Sequence, residues 1–393
     1  PKADAEKMRI YQELAQGFKS RVALFEGTWE KYHAGTPFAA SGADPAKYLK
    51  QAADAAEAVI NSGKFGLDNQ GAESGYWKLF NQVDYSGSRE IMFWRKYDVA
   101  LGLTHNWNRY TTSGGGFGVT KDLVDSYLCT DGSPITTSPL YTGDNTQDDI
   151  IKNRDPRLKQ SIYVSGAPIT VNGPSATDNR VYQYPTINQA GESRSMTGFQ
   201  LYKGHSAEYL QQYTGDIGTT GTIYMRYAEI LLNYAEAKAE LGIFTQADAD
   251  KSVNLLRTRV GMPVMNTASI TPDPSWPFPA LSPVLNEVRR ERRIELALEG
   301  FRFNDICRWA AAGKLLKGWK PLGAKYKQWE NVPYNPRIIV GTNLYVNADG
   351  YIEPFQKVAG LINGYQFNTT RDYLLPIPLQ EVQQFNFTQN PGW

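Results

Sequence analysis

The 393-residue chain carries 41 lysines and arginines against 40 aspartates and glutamates, a net charge of +1, so it has neither the basic field that holds nucleic acid nor an acidic tail that mimics it. Its apolar fraction of 41% supports a sizeable core, yet its longest apolar runs, such as Ile230-Leu231-Leu232, fall far short of the roughly 20 residues that span a bilayer. Its two cysteines, Cys129 and Cys307, each lack a neighbouring cysteine, which excludes zinc and thioredoxin-like spacings.

The spacing of apolar residues predicts helices from Ala5 to Glu26 and from Pro45 to Asn61. The second is rich in alanine (Ala52, Ala53, Ala55, Ala56, Ala58), which lets a neighbouring helix approach closely, and it stops at Ser62-Gly63. From about 67 to 221 the chain turns to glycine, proline, tyrosine and asparagine, with strand-like runs such as Glu90 to Trp94. This stretch keeps too many aromatics to be disordered and reads as an ordered excursion. Within it, the run Gly114-Gly115-Gly116-Phe117-Gly118 lacks the strand-to-helix context of a dinucleotide site and reads as a flexible turn.

Helical patterning returns from Arg226 to Leu241 and from Thr245 to Val260, a helical hairpin. In its first helix Tyr227, Ile230, Leu231, Tyr234 and Leu241 make one apolar stripe and Ala228, Leu232, Ala235 and Ala239 another. Such a helix is buried on two sides, as stacked helical repeats require. A further pair covers Pro283 to Gly300 and Phe301 to Gly313, and a second loop-rich excursion covers about 320 to 387. The pairs match tetratricopeptide repeats in length but not in signature residues. The expected fold is therefore mainly α. Tetratricopeptide-like helical hairpins form an α-superhelical scaffold over about 1–66 and 222–319 of a single domain, with ligand-side excursions over about 67–221 and 320–387 and a few short β-strands.

In the segment from Val288 to Trp309, and just before it, Glu287, Glu291, Glu295 and Glu299 recur every four residues and stack on one helix face, where like charges repel. Cations should answer them: Arg292 and Arg302 at three-residue spacing from Glu295 and Glu299, with Arg226, Arg257 or Arg259 from the preceding hairpin supplying the rest. Cys307 lies in the same apolar helical stretch and reads as a buried free thiol, a single disulfide with Cys129 being the alternative.

Little in the chain points to catalysis. His33, His105 and His205 are scattered without metal-site spacing, and no Gly-x-Ser-x-Gly elbow occurs. Asp131-Gly132 and Asp349-Gly350 read as turns; no cofactor is expected, and a structural calcium ion is left open. No two carboxylates stand out as a glycosidase pair, so the chain reads as a binding protein rather than an enzyme.

The distinctive feature is 24 tyrosines, 16 phenylalanines and 9 tryptophans. Sugars present apolar C–H faces edged with hydroxyls, so a glycan site needs aromatic platforms with polar groups beside them. Trp107, Asn108, Arg109 and Tyr110, after His105-Asn106, form the leading cluster, expected on a loop beside Trp94, Arg95 and Tyr97. Tyr209 with Tyr213, before the Thr219-Thr220 turn, is a second candidate, and Trp276 with Phe278 a third. Loop packing is the competing reading for each.

Several segments together resemble the SusD/RagB family, surface lipoproteins that capture nutrients for outer-membrane transporters of Bacteroidetes. They include KSRVALFEGTWEKYH from Lys19, AAEAVINSGKFGL from Ala55, EIMFW from Glu90, LVDSYLCTDGSPI from Leu123 and NRDPRL from Asn153. MRYAEILLNYAEAKAELG from Met225, VNLLRTRVGMP from Val253, the arginine-glutamate helix, YLLPIPLQEV from Tyr373 and the terminal QNPGW complete the set. The resemblance implies a tetratricopeptide-like fold and a place on the cell surface at the outer membrane. It implies a SusC-like TonB-dependent barrel as partner, and an oligosaccharide or, in some members, a peptide as cargo. Family members begin with a signal peptide, a lipidated cysteine and a long further segment ahead of the Lys19 motif. Here that N-terminal part is expected to be missing, with membrane attachment only through a lipid anchor absent from this chain.

Overall fold

The structure, a computed structural model, describes residues 8–393. Its first hairpin joins α1 (Gln12–Tyr32) to α2 (Pro45–Asn61). Asp44 caps α2 by accepting a hydrogen bond from the Lys47 N–H, and Pro45 fills the first turn where its missing donor costs nothing. Small residues bring the two helices together. A Cβ on Gly27 would lie 2.8 Å from the Leu49 backbone nitrogen, and Ser20 Oγ donates to the Ala52 carbonyl at 2.9 Å.

Short elements then follow: α3 (Gly75–Leu79), β1 (Ile91–Arg95), α4 (Trp107–Ser113), α5 (Lys121–Ser126), α6 (Gln147–Ile151) and α7 (Pro156–Ser161). Two strands, β2 (Pro168–Thr170) and β3 (Arg180–Val181), pair antiparallel. β4 (Thr222–Arg226) pairs antiparallel with β1, setting Trp94 opposite Ile223 and Arg95 opposite Thr222, and leads directly into α8 (Tyr227–Glu240). The chain continues through α9 (Gln246–Asp250), α10 (Val253–Arg259), α11 (Pro283–Glu295), α12 (Arg302–Arg308), α13 (Ala312–Leu315) and α14 (Leu379–Phe385).

α8 is the axis of the scaffold. Every one of its residues except Lys238 is buried, so the two apolar stripes merge into burial on all sides. Ile230, Leu231 and Tyr234 join Leu14, Ala56, Val59 and Leu256 in one core cluster. A second cluster lies under the excursions, where Tyr127, Leu158, Phe199 and Ile352 pack with Ile294 of α11. Both excursions are thereby fastened to the scaffold. The mainly helical fold with few short strands is the one expected.

Element ends differ from the sequence reading for local reasons. The first helix runs from Gln12 rather than Ala5 and continues past Glu26 to Tyr32; its last turns escape the apolar pattern because the buried Thr28 and Glu30 are polar, and residues 5 to 7 lie outside the described residues. The helix expected from Thr245 to Val260 is two, parted where Ser252 Oγ bonds back to the Asp248 carbonyl at 2.5 Å. α11 stops at Glu295 instead of Gly300, in a turn where Leu298 takes φ 67° and Gly300 φ 85°. The helix expected from Phe301 breaks where Ala310 takes φ 49°. Gly114, Gly115 and Gly116 all have left-handed φ, and a Cβ on Gly114 would lie 2.4 Å from the Ser195 nitrogen, so this run is a fixed turn and not a flexible one. Both cysteines are buried and free, which removes the disulfide alternative. No helix of the described residues is long and apolar enough to cross a membrane.

The glutamate series is answered by a buried lattice of cations. Glu287 meets Arg290 at 3.0 Å and Arg257 at 3.4 Å; Glu291 meets Arg157 at 2.6 Å and Arg257 at 3.0 Å. Glu295 meets Arg226 and Arg259 at 2.7 Å and Arg157 at 2.8 Å, and Glu299 meets Arg226 and Lys203 at 2.7 Å. The expected contribution of Arg226, Arg257 and Arg259 is present, joined by Arg157 of α7. The expected contribution of Arg292 and Arg302 is absent: Glu299 and Arg302 lie beyond the helix end at Glu295, where the three-residue spacing ceases to hold, and Arg292, although inside α11 with Glu295, is claimed by other acids. Arg292 instead meets Asp305 at 3.0 Å and Glu236 at 3.6 Å. Burial alone would raise the Glu295 pKa, but Arg259, Arg226 and Arg157 outweigh it and hold the carboxyl far below its ordinary range.

Candidate functional site

β1 and β4 carry the chain from the scaffold to an open cleft of about 530 Å³. Tyr97, just past β1, forms one wall. Its hydroxyl is 3.1 Å from Thr222 Oγ1 at the start of β4, its ring edge meets His105 at 4.7 Å, and the Arg95 guanidinium lies 4.9 Å from the ring centre. His105 is fixed in turn: its backbone exchanges two hydrogen bonds with Gly218, its Nδ1 accepts from the Trp107 N–H, and its Nε2 donates to the Thr220 carbonyl at 2.9 Å. Burial lowers its pKa, which keeps the ring neutral.

Trp107 and Tyr110 form the facing wall. The segment expected as a loop is the helix α4, and helical spacing divides its residues by role. Trp107 and Tyr110, three apart, line the cleft, with Trp107 38% exposed. Asn108 turns inward at 1% exposure; its Oδ1 accepts from the Ser206 N–H at 2.8 Å and its Nδ2 donates to the Gln211 carbonyl. Arg109 points to solvent, 3.9 Å from Glu192. Asn108 therefore positions α4 and is not placed to touch a ligand in the cleft. Trp94 is also corrected: strand alternation buries it at 2% exposure, edge-on to Tyr85, so it offers no open face.

The floor comes from distant segments. Phe80, Leu298, Glu299 and Lys203 line it. Lys203 Nζ lies 4.1 Å from the Phe80 ring centre and donates to the Ala297 carbonyl and to Glu299, both at 2.7 Å. Burial pulls its pKa down to about 8 against the pull of Glu299. Because Glu299 is also held by Arg226, the floor presents no unbalanced charge. Gly204, at φ 81°, makes room for Trp107, since a Cβ there would lie 2.8 Å from the indole nitrogen. Phe117, held by the glycine turn, stacks behind Trp107 at 6.0 Å and 18°.

Tyr209 and Tyr213 stack at 5.3 Å, with Tyr213 55% exposed. Hydrogen bonds from Asn108 and Thr112 tie this segment to α4, so the first two candidate clusters are neighbours, although the tyrosine pair does not line the cleft. Trp276 lies elsewhere, at α11, where its Nε1 donates to Glu287 at 3.1 Å. Phe80, Lys203, Leu298 and Glu299 were not foreseen. Only the membership of Glu299 in the charged series singled it out, and that pointed to structure.

Fold and cleft together define a class: a helical-repeat scaffold that displays aromatic side chains on a loop-built face. The model of the SusD family matches residues 79–393, and the chain belongs to that family. Among solved structures it resembles a SusD-like carbohydrate-binding protein from Bacteroides fragilis, at 24% identity and a TM-score of 0.63, over 98% of this chain and 65% of that one. A second SusD-like protein from Bacteroides fragilis aligns at 21% identity and a TM-score of 0.64, over 98% of this chain and 66% of that one. A structure solved with a xylogluco-oligosaccharide aligns at 17% identity and a TM-score of 0.55, over 97% of this chain and 67% of that one. The chain thus spans about two thirds of the length of these relatives. No curated protein sequence matches it.

Proposed function

We propose that the chain binds glycan without altering it, at the cell surface, and passes it to a SusC-like TonB-dependent outer-membrane transporter. The observation that carries this reading is the half-open Trp107 ring, held between Phe117 and an otherwise charge-balanced cleft edged by the hydroxyls of Tyr97, Tyr110 and Thr222. A flat apolar face ringed by neutral polar groups suits a neutral sugar. Glu299 is the one carboxylate among the described residues lining the cleft, and its two ion pairs leave it unsuited to act as half of an acid–base pair. The family membership and two structural relatives, one a carbohydrate-binding protein and one solved with an oligosaccharide, support the same reading.

Titration calorimetry against a panel of neutral oligosaccharides and a peptide mixture tests it. At least one glycan should bind, no product should form, and Trp107→Ala should weaken binding at least tenfold, about 1.4 kcal/mol, with the melting temperature unchanged. Peptide binding with no glycan response would reverse the assignment of cargo. Co-purification of the full-length native protein with a large outer-membrane barrel tests the transporter half.

A further inference from the structure

The arginines around the junction of α11 and α12 are matched to acids one by one, with a single exception. Arg289 pairs with Glu240 at 2.6 Å, Arg290 with Asp273 at 2.5 Å and Arg293 with Asp122 at 2.5 Å. Nearby Asp125 is taken by Lys121 at 2.5 Å. Arg302 is half-buried yet makes no hydrogen bond or ion pair with any described residue; its nearest ring contact is Trp309, at 5.9 Å. Burial first, and then the neighbouring Arg293, lower its pKa to about 9; Asp305 and Asp122 pull the other way without forming an ion pair with it.

This unmatched cation borders two connected spaces. One, of about 200 Å³, lies against Trp276 and Phe278; the other, of about 740 Å³, shares Asp122, Pro277, Arg293 and Arg302 with it, Asp122 being held by Arg293, and widens toward Trp319. The hydrogen bond from Trp276 to Glu287 fixes the indole, so a half-buried aromatic surface stands beside an open guanidinium fork. An unpaired, partly desolvated guanidinium donates two parallel N–H bonds from its planar fork to two oxygens of one oxyanion, and charge-assisted bonds of that kind are the strong ones. The larger space falls within the range of sites that take a small oligomeric ligand.

We propose that this pocket is a second ligand site, distinct from the Trp107 cleft, which takes an acidic saccharide by placing a carboxylate or sulfate on Arg302 and a sugar face on Trp276. The saccharide half rests on the glycan-binding reading; the oxyanion half does not.

Calorimetry on the intact chain with sodium sulfate, glucuronate, an oligogalacturonide and a sulfated disaccharide, each beside a neutral counterpart, tests it. An acidic oligosaccharide should bind wild type, lose at least tenfold in affinity in R302Q, and weaken as salt is raised; R302K should fall between. The uronate and sulfate arms tell which oxyanion is preferred. If R302Q does not fold, W276A reads the same site, with tenfold weaker oligosaccharide binding and unchanged binding of free sulfate. Equal affinity in wild type and R302Q, or no response to any anion, overturns the proposal. Binding of free sulfate or glucuronate alone overturns its saccharide half. Failure of neutral glycans while acidic ones bind through Arg302 counts against the Trp107 cleft and not against this site.

Discussion

At the scale of single residues, Glu295 concentrates the risk in this fold. Its carboxylate is fully buried among three guanidinium groups, and removing one member of such a set leaves uncompensated buried charge. Glu295→Gln should cost about 3–5 kcal/mol in denaturant unfolding, and Glu295→Lys should prevent folding. The same groups set the acid limit of the protein. Burial alone would raise the pKa values of Glu295 and Glu236, but Arg259, Arg226 and Arg157 around the first and Arg308, Arg292 and Arg289 around the second lower them instead. A carboxyl depressed in the folded state stabilises fully above its unfolded value, about 4.3, and loses that contribution as pH falls below it toward the folded value. Thermal melts should therefore shift steadily downward between about pH 4.5 and pH 2.5, and a flat profile there would show that the lattice contributes little.

At the scale of elements, contact between helices depends on missing side chains. A Cβ on Gly27 would meet the Leu49 nitrogen at 2.8 Å, and backbone cannot step aside as a flexible side chain can. Gly27→Ala should cost about 1–3 kcal/mol by forcing α1 from α2, read as a lowered denaturation midpoint. How much of each element was legible follows from where its stability originates. α8 and α11 are strings of good helix formers, so both were legible as helices, although α11 stops five residues short of the expected Gly300. α4 was missed because Asn108, Thr111, Thr112 and Ser113 are poor helix formers; tertiary bonds hold it, including Thr111 to His205 at 2.8 Å and Asn108 to Ser206. The wall residues Tyr97, Trp107 and Tyr110 were legible as aromatics beside polar groups. The floor was not, because Phe80, Lys203 and Leu298 meet only through long-range folding, and nothing local marks Arg157 as the cation that reaches Glu291 and Glu295.

At the scale of the whole molecule, the charge lattice and the second core cluster bind excursions to scaffold. Glu90 and Arg157 lie in the first excursion, yet their partners Arg226, Arg259, Glu291 and Glu295 lie in the helical frame. Calorimetric unfolding should therefore show a single transition, and mild proteolysis should not release the segment 67–221 as a stable fragment; two separated transitions would mean independent units. The stacking of Phe117 behind Trp107 has an effect on how a guest would be met. An indole already arrested by its neighbour surrenders no rotational freedom on association, because folding has removed that freedom beforehand. Phe117→Ala should accordingly loosen the ring and weaken neutral-glycan affinity severalfold, with the loss appearing as a less favourable entropy, although the phenyl group itself never meets the sugar.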